Sequence, residues 1–234
     1  MQILRKTCKR TGKAKELLES PQFIIQKGIR SLVDEDARVG YKTKTDSFFG
    51  YKTEFTMLTD EIIITAVNVH NGAYVDGSDI KTLIEKTKKG KINITEFYGD
   101  KAYFRKHILD EIRELGATAY IPVSETVYRI DELKHTYNKD ADEWYCSEGN
   151  KTVEKKKKKR KKSGQEYELY KYLFQKEYCQ KCHKHDECIG KGSRKTLDIG
   201  LNTPEFYQIS QWQKTEEFKE KYKQRAYQEE EKDV

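Results

Sequence analysis

The sequence predicts an α/β protein, a mixed sheet with flanking helices that is interrupted by a small cysteine-rich insertion and is incomplete at its start. Three observations carry that expectation. Strand-like and helix-like apolar patterns take turns between Phe48 and Val123. No equally regular strand precedes them. Beyond Ser124 the composition shifts to Tyr, Lys and Glu and brings in four of the five cysteines.

The elements follow in order. Residues 1–22 are polar and weakly patterned, with an amphipathic turn or two around Ala14 to Leu18, and read as a poorly structured segment. Residues 23–33 are apolar and offer a candidate first strand, although Gly28 sits in the middle of the run. Residues 48–58 alternate as a strand does, and the β-branched run 61–69 pairs with them through a turn at Thr59 and Asp60. Ser78 or Asp79 caps a helix that runs to Lys89 and stops at Gly90. Residues 92–98 form the next strand and lead into Gly99 and Asp100. Residues 102–115 have helical periodicity ending at Gly116, and 118–123 make another short strand. A meander, then helix, strand, helix and strand is most of an RNase H-like layer.

The expected organisation is therefore an RNase H-like core over 23–130, a cysteine-rich insertion over 131–192 with a basic loop at 151–164, and a return to the core over 193–234. The last stretch, from Thr215, lacks Pro and Gly and has high helix propensity.

The formal charge is +7, but Lys155 to Lys162 alone carries eight positive charges, so the rest of the chain is nearly neutral. Such a run attracts any polyanion through counterion release, or it is a solvated loop. No apolar stretch approaches the roughly 20 residues of a spanning helix, which excludes a membrane reading and makes the cytoplasm the expected address. In that setting cysteines point to metal or free thiols more than to disulfides. Cys179 and Cys182 are three positions apart, Cys188 follows, and Cys146 lies about thirty residues earlier. That spacing suits a tetrahedral Zn²⁺ site, with His183 and His185 as alternative ligands and free thiols as the competing account. Cys8 belongs to no cluster.

Asp100 is the carboxylate of most interest. It ends a central strand just before a helix, where open α/β sheets place ligands, yet a helix cap explains such an Asp as readily. The aromatic and basic residues interleaved at Tyr170, Lys171 and Tyr172 suit stacking on bases, and equally suit a half-buried strand.

Several segments in sequence order carry a resemblance: Asp-Glu-Asp-Ala-Arg-Val-Gly at 34–40, Phe-Phe-Gly-Tyr-Lys at 48–52, Gly-Asp-Lys-Ala-Tyr at 99–103, and Tyr222, Arg225 and Glu229 near the end. Together they resemble a DDE-type transposase of a bacterial insertion sequence, with its Tyr-Arg-Glu-Lys signature. The resemblance implies Mg²⁺ or Mn²⁺ at Asp100 and Glu229, the second and third catalytic carboxylates. It implies DNA-backbone contacts by Tyr222 and Arg225, with Lys52 and Lys101 as further DNA contacts, and transposon ends and target DNA as partners of a homo-oligomer. It also matches Cys146, Cys179, Cys182 and Cys188 to cysteines of an insertion between those carboxylates. The first catalytic Asp has no evident counterpart, so Asp36, or Asp34, is the candidate, with a structural role near Arg38 as the other account. The signature Lys would fall beyond Val234, and the sequence reads as a family member shortened at both ends.

Overall fold

In the computed structural model the described residues are 33–43 and 45–230, with side chains described as far as Arg225. The expectations for 1–22, for Ala14 to Leu18 and for Cys8 lie outside them. The chain divides into two compact units, Met1–Asn93 and Ile94–Val234. The fold is mixed α/β, as the sequence predicts.

The first unit is an antiparallel meander of β1 (Arg38–Tyr41), β2 (Ser47–Met57) and β3 (Ile64–Asn71), followed by helix α1 (Ile80–Lys89). Of the run expected to open the meander only Val33 is described, and the strand that pairs with β2 is Arg38–Tyr41. Gly40 and Gly72 permit this: a Cβ on Gly40 would lie 2.3 Å from the Gly72 carbonyl oxygen. Helix α1 buries Ile80, Leu83, Ile84 and Thr87, spaced to form one face. Thr87 also closes a hydroxyl trio with Thr56 at 2.8 Å and Thr65 at 3.1 Å, tying the helix to both strands. Buried Glu54 accepts from the Tyr74 hydroxyl at 2.9 Å and from the Gly77 amide, so its charge has partners inside the unit.

The second unit begins with β4 (Glu96–Tyr98) and β5 (Thr118–Tyr120), which pair in parallel. They are joined through a short 3₁₀ turn, Lys101–Tyr103, and helix α2 (Lys106–Glu114). The single helix expected over 102–115 is broken, because Arg105 is extended (φ −139°). The break lets Phe104 turn fully inward, with its ring 4.9 Å from that of Phe206. Ile108, Leu109 and Ile112 supply the buried face of α2.

Between β5 and the last helices the chain makes two small antiparallel sheets. One pairs β6 (His135–Asn138) with β7 (Glu143–Cys146). The other has the order β10–β9–β8, from β8 (Thr152–Lys162), β9 (Gln165–Phe174) and β10 (Thr196–Gly200). The basic run expected as a loop is therefore a strand. Its turn is Ser163 and Gly164, with φ of 52° and 82°, the signs of the two-residue turn that suits a twisted hairpin. Its partner β9 buries Leu169, Tyr172, Leu173 and Phe174, which fixes the register. Trp144 is fully buried against Tyr172 and Tyr207. Short helices α3 (Lys176–Lys181) and α4 (His185–Cys188) connect β9 to β10, and α5 (Thr203–Gln213) and α6 (Glu216–Glu230) end the unit.

Candidate functional site

Strand β4 carries the chain to Gly99, whose amide donates to the Tyr120 carbonyl, and so presents Asp100 at its carboxyl end. One Asp100 oxygen, Oδ1, accepts from the Ala102 amide at 2.7 Å and caps the 3₁₀ turn. The other, Oδ2, stands 3.9 Å from Nη2 of Arg225. Arg225 donates through Nη1 to the Tyr222 hydroxyl at 3.1 Å. Tyr222 stacks on Phe218, and buried Phe218 packs against Tyr120 and Trp212. Phe218, Tyr222 and Arg225 are thus spaced to share one face of α6, with the apolar member anchoring the polar ones.

The same face holds Lys221, whose Nζ lies 2.7 Å from Glu96 Oε1. Lys221 is the main cause of the lowered Glu96 pKa, and the Tyr98 hydroxyl, 2.6 Å away, adds to it. Neither Glu96 nor Lys221 stood out in the sequence. Their signal was the interval of three from Phe218 to Lys221, legible only once the partner strand is known.

The expected residues divide between the two units. Asp34, Asp36 and Lys52 belong to the first unit, and Asp100, Lys101, Tyr222 and Arg225 to the second. Oδ1 of Asp34 accepts from the amides of Asp36 and Ala37 and from the Tyr51 hydroxyl at 2.7 Å. That last bond lowers the Asp34 pKa and pushes Tyr51 up to about 12. Asp36 is exposed, and the Arg38 guanidinium turns to the Glu35 and Ala37 carbonyls. Lys52 is engaged by Asp76 at 3.1 Å and the Tyr74 carbonyl at 3.0 Å, while Lys101 is exposed. Glu229 lies in α6, beyond the described side chains.

Cys146, Cys179, Cys182 and Cys188 all line one cavity, together with His185, and all four are free thiols. His183 is exposed and stands 3.4 Å from Glu148. Among the described residues no group of three or more His, Cys, Asp or Glu is already placed to hold a metal ion. Nor is any described helix long and apolar enough to cross a membrane.

Comparison with known proteins adds one finding: the family model described as "Transposase DDE domain" matches residues 6–230, nearly the whole chain. No curated protein and no solved structure matches it.

Proposed function

The chain belongs to the transposase DDE-domain family, and on that premise we propose that it acts on DNA in transposition, with Asp100, Tyr222 and Arg225 at its working surface. The observation that carries this reading is the guanidinium of Arg225, which reaches the Tyr222 hydroxyl and lies 3.9 Å from the Asp100 carboxylate. Residues 122 to 125 positions apart in sequence meet at the end of a parallel strand, where α/β sheets put their chemistry. A planar guanidinium beside a half-buried carboxylate is suited to a phosphate, which it engages through two parallel N–H groups. Exposed Lys101 adds a second cation next to Asp100.

The divalent ion that the family implies asks for more than the described residues offer. Mg²⁺ and Mn²⁺ are hard cations, and a phosphoryl-transfer site needs two or three converging carboxylates, of which Asp100 is one. Glu229, on the same helix as Tyr222 and Arg225, is the proposed partner. When bound, the metal would stabilise charge on the attacking and leaving oxygens.

The test is nicking of supercoiled DNA by the full chain with Mg²⁺ or Mn²⁺, beside Asp100→Ala. Nicking abolished in the variant supports cleavage. DNA binding without nicking in either protein supports a second reading, a non-cleaving DNA-binding protein. That reading is favoured by strand β8, which presents exposed Lys158, Lys159 and Lys162 along one hairpin. Absence of any DNA binding by the folded chain would sink both.

A further inference from the structure

We propose that Cys146, Cys179, Cys182 and Cys188 together hold one Zn²⁺ ion, which fastens the β7–β8 turn to the α3–α4 segment. This site is independent of the DNA-facing surface and does not rest on it.

The argument begins with what brings the four thiols to one place. Cys146 ends β7, and the turn that follows it is closed by the Gly149 amide donating to the Cys146 carbonyl at 3.0 Å and the Cys146 amide donating to Asn150 at 2.9 Å. Gly149 has φ of 77°, a conformation that costs little only without a Cβ. Cys179 is buried in α3, Cys182 follows its last residue, and Cys188 ends α4. Two elements far apart in sequence therefore aim their cysteines into one cavity of about 50 Å³. That volume takes an ion or a water or two, and is several-fold below the roughly 300 Å³ at which small-molecule sites begin.

The surroundings suit thiolates. Cys179 Sγ accepts from Asn150 Nδ2 at 3.0 Å and from the Lys195 amide at 3.5 Å. Outer-shell N–H donors of this kind orient a sulfur that ligates a metal. Lys184, Lys195 and Glu148 also line the cavity; Glu148 pairs with Lys184, which leaves Lys195 as the cation that offsets part of the net negative charge of four thiolates around a dication. Soft sulfur ligands in a tetrahedral set select Zn²⁺ over Mg²⁺ or Ca²⁺. Helices of six and four residues are too short to be stable alone, so a cross-link here has structural work to do. No three of the ligand groups already converge within metal-binding range, so the ion must draw the sulfurs inward by side-chain rotation.

The experiment uses the full chain under reducing conditions. Zinc retained after gel filtration is measured by atomic emission, and Co²⁺ substituted for it reports ligand type through its absorption spectrum. One Zn²⁺ per chain and a tetrahedral all-sulfur Co²⁺ spectrum are expected. Removing a partner hydrogen-bonded to a metal ligand typically costs about 10- to 100-fold in affinity, so Cys146→Ser and Cys188→Ser should each lower Zn²⁺ affinity by at least about 100-fold. His185→Ala should leave it unchanged. Cys188 is exposed, so its replacement keeps the fold and its circular dichroism. No stoichiometric zinc, a nitrogen-containing Co²⁺ spectrum, or full affinity in either Cys→Ser variant overturns the four-thiolate site.

Discussion

Two long hairpins, β2–β3 and β8–β9, reach the same architecture from opposite sequences. Strand β2 is Ser-Phe-Phe-Gly-Tyr-Lys-Thr-Glu-Phe-Thr-Met, alternating in character and covered by α1. Strand β8 is Thr-Val-Glu followed by eight cations, and past its first residue it is exposed throughout. The first hairpin is held on one face only: Glu54, Ala66 and Asn68 are buried there and their neighbours half-buried, while Phe49, Tyr51, Phe55, Val67 and Val69 of the other face are exposed. The second is held at its base, where Thr152 pairs with buried Phe174, and at its turn. Between those points Lys157 pairs with Glu168 at 2.7 Å, Lys161 with Glu166 at 3.4 Å, and the Lys155 ammonium sits 3.9 Å above the Tyr170 ring. Exposed pairs of that kind each contribute about 0–1 kcal/mol, enough to offset lysine repulsion but not to build a strand alone.

The largest effect should come from the base of the second hairpin. Trp144→Ala removes a fully buried indole and should cost roughly 3–5 kcal/mol, read as the shift in urea midpoint of the second unit. A smaller loss would mean that β8–β9 is held by its charges after all.

Next is the pH dependence. Burial works against the Glu132 charge, but Lys214, Ser210, Tyr128 and Gln211 outweigh it and hold its pKa at about 2. A depressed carboxylate pKa means that its stabilisation is complete above the ordinary value of 4.5 and is lost as the pH falls toward 2. About 2–3 kcal/mol should disappear over that interval. In Glu132→Gln the slope between pH 4.5 and 2 should flatten. An unchanged slope would place the titration elsewhere.

At the turn, Gly164→Ala forces a Cβ into φ of 82° and should cost about 1 kcal/mol. Hydrogen exchange should speed up near Lys161 and Lys162 and not at Leu173. Uniform acceleration would show that the hairpin opens as one body.

Smallest in stability is the triple change Lys158→Gln, Lys159→Gln and Lys162→Gln, expected within about 0.5 kcal/mol of the parent. Its DNA affinity should nevertheless lose up to about 3 units of slope in the log–log salt plot, near 0.9 per phosphate contact. A fully retained slope would remove β8 from the DNA-facing surface.

The sequence by itself determined the elements whose own residues carry their reason. Alternation wrote β2, and a β-branched run over 61–69 wrote most of β3, which the structure places at Ile64–Asn71. A cap position at Ser78 or Asp79 and the stop at Gly90 wrote α1, and the interval joining Tyr222 and Arg225 wrote a shared helix face before any partner was known. Asp100 was legible as a strand-end carboxylate. What the tertiary structure decided depends on groups distant in the chain. Strand β8 exists because β9 is amphipathic. The helix expected over 102–115 breaks because Phe104 is needed against Phe206. The site around Asp100 gains Glu96 and Lys221 because α6 lies against β4 and β5, and the four cysteines share a cavity because a turn and two short helices meet. Periodicity reports how one segment divides its faces between core and water. It cannot report which other segment supplies the core, and that choice is where the remaining residues found their roles.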